Sequence, residues 1–166
     1  MSAPVPPLGP PDVVLAGLLV GACYTDVTTG KIKNVLTFPV MACGVLMAPL
    51  FGPWHVGLLG LLTAFAVGVA LWKFGGAYHP GDVKLVMAAG ALVGPETVLR
   101  GMLLGMILNV PVALVVLAVR GRLGHFFRFW VKGERKETTR MVFGPVIATG
   151  IVLARVQAWP NLLGAP

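Results

Sequence analysis

The stretch GDVKLVMAAGALVGPETVLRGMLLGMILNVPVALVVLAV, residues 81–119, decides the fold. Its charged side chains are Asp82, Lys84, Glu96 and Arg100, and the rest is dominated by Leu, Val, Met, Ala and Gly. Gly94-Pro95 divides it into two apolar runs, Val83–Val93 and Val98–Val119, because a Gly-Pro pair punctuates a helix. A helix that crosses a bilayer needs ~20 apolar residues. The second run reaches that length and the first falls short of it. Outward from here the same texture repeats in Val13–Thr25, Val35–Leu50, Val56–Phe74 and Met141–Ala158. Of the 166 residues, 57% are hydrophobic and only 11% are charged, with a mean hydropathy of +0.86. Soluble domains carry about 25% charged residues, and a chain this short cannot hide so much apolar surface in a water-soluble core. Lipid is the solvent such a surface requires. The expected architecture is an all-α polytopic membrane protein with about six transmembrane helices.

The net charge of +7 would suggest nucleic acid in a soluble protein. Here the basic residues instead report orientation, and no nucleic-acid partner is expected. Lys31, Lys33, Lys73, Lys84 and the seven cations between Arg120 and Arg140 fall after the first, third and fifth runs, on one side of the membrane. Arg100 and Arg155 fall elsewhere. Basic connections stay cytoplasmic, so both termini are expected on the non-cytoplasmic side. Residues 1–11 read as a Pro-rich extramembrane lead-in, 12–158 as one transmembrane domain, and 159–166 as a tail. Within residues 121–139, Phe126, Phe127, Phe129 and Trp130 beside Arg128 and Lys132 suit a helix lying among lipid headgroups, or a surface that docks substrate. The pairs Gly17/Gly21, Gly90/Gly94 and Gly101/Gly105 would let helix backbones approach closely. Cys23 and Cys43 lie inside apolar runs and read as small apolar side chains.

Chemistry can come from few residues. Asp26 closes the first run and Asp82 opens the fourth, which puts both at the cytoplasmic border. Ionisable groups at such depth are costly and usually functional. Two carboxylates brought together share a proton, so one can activate water while the other polarises a carbonyl. Taken by position alone, Asp82 could equally complement a helix N-terminus, and Asp26 could pair with a nearby lysine. His55, His79 and His125 lack metal-ligand spacing, and no nucleophile elbow or phosphate-binding loop appears. No metal or cofactor is expected.

Around Asp26 the chain reads YTDVTTGKIKNVLT, around Asp82 YHPGDVKLVMAAGALVG, and near its end FGPVIATG. Together these resemble the type IV prepilin peptidase family, the GxGD-type membrane aspartyl peptidases, from about Gly17 to Ala154. The resemblance implies catalytic roles for Asp26, upstream of Ile32-Lys33-Asn34, and for Asp82, in Gly81-Asp82-Val83-Lys84-Leu85. It places Phe143-Gly144-Pro145 at the start of the last helix. It implies an endopeptidase that removes the short basic leader of pilin-like precursors at the cytoplasmic face of the cell membrane, without cofactor. With no four-cysteine zinc module, the peptidase-only form is implied. His79 stands where the family's motif has its first glycine, and Lys33 where proline is common. Supporting roles are expected of Gly81, which lets a backbone approach the carboxylate, of Lys84 as a headgroup anchor or substrate contact, of Asn34 as a helix cap or loop-orienting group, and of His79 as a loop residue or an electrostatic neighbour of Asp82. The competing readings are a small transporter using the two acids as ion sites, and a non-catalytic assembly subunit.

Overall fold

A computed structural model describes residues 8–75, 78–119 and 144–156, and these are all helical or helix-linking. Helix α1, Pro10–Thr29, starts with proline at its first positions, where a missing N–H costs nothing. It ends at Gly30, whose left-handed conformation (φ 63°, ψ 22°) lets its N–H close on the Asp26 carbonyl. The first apolar run is therefore longer than its hydrophobic letters: twenty residues, enough to span. Asp26 lies inside the last turn, not beyond it. α2 runs Asn34–Phe51 with Pro39 and Pro49 in its interior. α3 runs Trp54–Ala70 and continues through a wide turn, Leu71–Gly75. α4 runs Pro80–Val119 and α5 Gly144–Val156.

α4 has forty residues. Straight, at 1.5 Å per residue, it would measure ~60 Å, about twice the hydrocarbon thickness of a bilayer. It is broken at Gly94, where φ is 81° and ψ 174°, a conformation open to glycine and strained for other residues. The chain reverses there. Tyr78, just before α4, and Asn109, well beyond the break, line one cavity, which a straight helix would forbid. α4 is thus a hairpin with arms 80–93 and 95–119.

Small residues bring the elements together. Gly60 of α3 packs directly on the backbone of Gly90, and a Cβ on Gly44 of α2 would meet Ala91 at 2.7 Å. A Cβ on Gly68 would meet Val83 at 3.1 Å, so α3 runs antiparallel to the first arm. Gly101 and Gly105 of the second arm face Ile151 and Ile147 of α5, again antiparallel. Of the expected glycine pairs, Gly90 and Gly101/Gly105 make close crossings, Gly94 makes the reversal, Gly21 touches only the Leu36 side chain, and Gly17 meets nothing. The core holds Leu15, Leu18, Leu85, Val86, Met102 and Ile151. Val13, Val20, Phe65, Leu103 and Ile107 stay exposed on the outer faces, as expected where lipid, not water, is the solvent.

Among the described residues, four stretches are long and apolar enough to cross a membrane, Pro10–Thr29, Asn34–Phe51, Trp54–Phe74 and Pro80–Val112, the last of them interrupted at Gly94. Gly144–Val156 is a shorter apolar helix. The fourth and fifth apolar runs are two arms of one element, and the described part of the sixth is only thirteen residues. The aromatic segment within 121–139, the C-terminal tail and most of the N-terminal lead-in lie outside the described residues.

Candidate active site

Asp26 and Asp82 meet at one end of the bundle. Asp26 sits one turn from the end of α1 and Asp82 in the first turn of α4, both buried, at 9% and 5% exposure. Ile32, just beyond α1, packs beside Gly81, so the two acids share one end of the bundle. Each acid is held by a backbone N–H. The N–H of Gly144, first residue of α5, donates to Asp26 Oδ2 at 2.9 Å, a bond spanning 118 positions of sequence. The N–H of His79 donates to Asp82 Oδ2 at 2.9 Å. Among the described residues Asp26 makes no salt bridge to lysine, so the lysine-pair alternative drops out. Asp82 does complement a helix start, as one reading had it, while also facing Asp26.

Gly144 is the site residue that the sequence reading placed without seeing its purpose. A Cβ there would lie 2.6 Å from Asp26 Oδ2 and 3.2 Å from Asp26 Cβ. Only glycine lets the first turn of α5 close over the carboxylate. Its signal was the FGP run, which marks a helix start but does not say what the start touches.

The supporting residues divide differently from expectation. Gly81 has room for a methyl: a Cβ would meet Ile32 at 3.6 Å, an ordinary contact, so no neighbour among the described residues demands glycine. Asn34 does not cap α2, since no side-chain cap bond forms at its start. Instead Asn34 Oδ1 accepts a hydrogen bond from Lys84 Nζ at 2.8 Å, and that ammonium lies 5.8 Å from the Phe38 ring centre. Lys84 thereby ties α4 to α2 and points away from the acid two residues before it, as helical spacing requires. The His79 imidazole, half exposed, has Nδ1 3.6 Å from Asp82 Oδ2. Tyr78 precedes it, fully buried. Burial, and then the charge of Asp82, raise its phenol above its ordinary value. Among the described residues no three of His, Cys, Asp and Glu converge as metal ligands do.

Fold and site define a polytopic helical membrane protein with two buried carboxylates at one end. Residues 13–118 match the sequence profile of the type IV leader peptidase family, and the chain belongs to that family. It is also 38% identical over 79 residues to the prepilin peptidase EppA of Methanothermobacter thermautotrophicus, a match covering 43% of this chain and 20% of that relative. The chain thus spans a minor part of the curated relative it matches. No solved structure matches it. The family is the one that the Asp26 and Asp82 motifs resemble.

Proposed function

We propose that the chain is a membrane-embedded aspartyl endopeptidase that removes the short basic leader of type IV pilin-like precursors at the cytoplasmic face of the cell membrane. The carrying observation is that Asp26 and Asp82, from distant parts of the sequence, are both buried at one end of the bundle, each held by a backbone N–H. Family membership supports the substrate class.

In this mechanism the two carboxylates hold one proton between them and titrate as a unit. The ionised member takes a proton from water as the water oxygen attacks the scissile carbonyl carbon. The protonated member hands its proton to the carbonyl oxygen. Collapse of the tetrahedral intermediate breaks the C–N bond, the oxygen gives up its proton, and the amine nitrogen takes one from the pair. Gly144 and His79 hold the two acids in place through their N–H groups. Gly81, where a Cβ would already touch Ile32, keeps the approach to Asp82 free of a side chain for the substrate backbone.

The orientation follows from charge. Lys31, Lys33, Lys73 and Lys84 cluster at the end that holds the acids, and cations mark the cytoplasmic side. Six crossings result if each arm of α4 spans once, with both termini non-cytoplasmic. Acids at helix ends, instead of at the bilayer midplane, favour a peptidase over a transporter.

The test is co-expression with a candidate precursor and a gel assay for leader loss. Wild-type protein trims the precursor, while Asp26→Asn and Asp82→Asn, each inserted and folded, leave it intact. Normal processing by either variant overturns the dyad.

A further inference from the structure

The short link Gly30–Lys33 joins α1 to α2 and reaches the supports of both acids. At its start the Gly30 N–H donates to the main-chain carbonyl oxygen of Asp26 at 2.9 Å. Two residues on, Ile32 is buried against Gly81, the residue before Asp82: a Cβ on Gly81 would lie 3.6 Å from the Ile32 Cβ. Directly after the link, Asn34 Oδ1 accepts the 2.8 Å hydrogen bond from Lys84 Nζ, two residues past Asp82. The chain that has just left Asp26 therefore grips the first turn of α4 on both sides of Asp82. The chemistry proposed for the dyad gives the Lys84–Asn34 bond no part. A lysine at a membrane border ordinarily sends its ammonium out among the headgroups. Lys84 instead commits to a neutral amide 50 positions away and lies over the Phe38 ring, and among the described residues it pairs with no carboxylate. Fixing so long a side chain costs conformational entropy, which a charge-assisted hydrogen bond is strong enough to offset.

We propose that Lys84 and Asn34 are positioning residues: their hydrogen bond clamps the link that follows Asp26 onto the first turn of α4 and thereby sets the placing of Asp26 against Asp82. The proposal rests on the peptidase reading for the reaction whose rate it controls. It assigns Lys84 neither to the headgroups nor to the substrate. A catalytic group displaced by a fraction of an ångström slows the chemical step and leaves binding alone.

Two measurements on the full chain in proteoliposomes test it. The first uses a synthetic peptide of short basic leader and following apolar helix as substrate. Lys84→Met keeps the stem and removes the ammonium; it lowers kcat about tenfold and leaves KM within about twofold. Asn34→Leu removes the same bond from the other side, so it gives the same loss, and the double variant loses no more than either alone. An unchanged kcat, a raised KM with kcat intact, or losses that multiply in the double variant overturn the proposal. The second measurement needs no activity. Cysteines replace Ile32 and Gly81 in a Cys23→Ala, Cys43→Ala background. Their Cβ separation falls inside the ~3.5–4.5 Å that a disulfide accepts, so mild oxidant closes the bridge, read as protection from alkylation. Adding Lys84→Met, or Asn34→Leu should the first variant not insert, slows closure about tenfold, because the link spends less time against α4. Closure at an undiminished rate overturns the clamp. Should wild-type protein cut no precursor while closure still slows, the peptidase reading fails and the clamp stands.

Discussion

Two tetrapeptides start helices in the same way at opposite ends of the bundle. Gly9-Pro10-Pro11-Asp12 opens α1 and His79-Pro80-Gly81-Asp82 opens α4. In each, proline takes the first helical position and the aspartate reaches back to the N–H three residues earlier, at 2.8 Å in α1 and 2.9 Å in α4. The two part company in what else faces the acid. Asp12 receives Arg155 in a two-pronged pair, Nε to Oδ1 at 2.7 Å and an Nη to Oδ2 at 3.0 Å. Asp82 has instead the His79 imidazole, Nδ1 at 3.6 Å from Oδ2, and shares its end of the bundle with Asp26. Local chemistry makes both aspartates caps. The tertiary partner, a distant arginine for Asp12 and a second buried acid at the same bundle end for Asp82, is what sets the two apart.

Neutralising each acid breaks the comparison most sharply. Asp82→Asn keeps an oxygen for the cap but cannot exchange a proton, and leader cleavage falls by ~10³-fold or more, as it does for Asp26→Asn. Asp12→Asn keeps the cap as well, yet cleavage stays within a fewfold of normal. Its cost falls on stability: the Arg155 guanidinium, mostly buried, loses its counter-charge, for roughly 1–3 kcal/mol, between the values for exposed and buried pairs. Thermal unfolding in detergent reads that loss, and adding Arg155→Gln to Asp12→Asn recovers part of it. Equal loss of cleavage in the Asp12 and Asp82 variants would erase the distinction.

Gly144→Ala comes next. A single methyl at 2.6 Å from Asp26 Oδ2 has nowhere to go but into the carboxylate. Either α5 backs away and the N–H bond breaks, or Asp26 rotates away from Asp82. Cleavage falls ~10²-fold, because a small displacement of a catalytic group carries a loss of that order, while the protein still inserts. Gly81→Ala is the control: its Cβ finds only ordinary contact with Ile32, so stability stays unchanged. Any fall in its cleavage rate then reports on the space left for substrate.

How far the molecule was legible beforehand follows from the same pairs of residues. Apolar length and charge are local properties, and they marked the helices and the two acids. The start of α4 was readable too, from an aspartate placed to complement a helix N-terminus. What escaped depends on which faces of distant helices turn toward each other. The Gly94-Pro95 pair did mark a break between two apolar runs, and Tyr78 and Asn109 lining one cavity agree with a reversal there. Nothing in FGP says that the N–H of Gly144 will meet a carboxylate from the first helix. Asn34 looked like a cap because it begins α2, but its side chain reaches Lys84 on another helix instead. Asp12 and Arg155, 143 positions apart, gave no sign of pairing.

The smallest expected effect makes the two caps alike. His79→Gly converts His79-Pro80-Gly81-Asp82 into a near copy of the α1 start and restores the glycine common at this place in related motifs. The bond that holds Asp82 comes from the backbone N–H of residue 79, which glycine keeps. Glycine is also an accepted residue at a helix N-cap, so α4 loses little there. What disappears is the imidazole, 3.6 Å from Asp82 Oδ2 and 49% exposed. Water screens a pair so exposed, and such pairs contribute no more than ~1 kcal/mol, about fivefold in rate. The thermal midpoint therefore stays put and cleavage changes by less than about fivefold. A loss of ~30-fold or more would show that the side chain of His79, and not its backbone, keeps Asp82 in register with Asp26. In that case the resemblance between the two helix starts would end at their main chains.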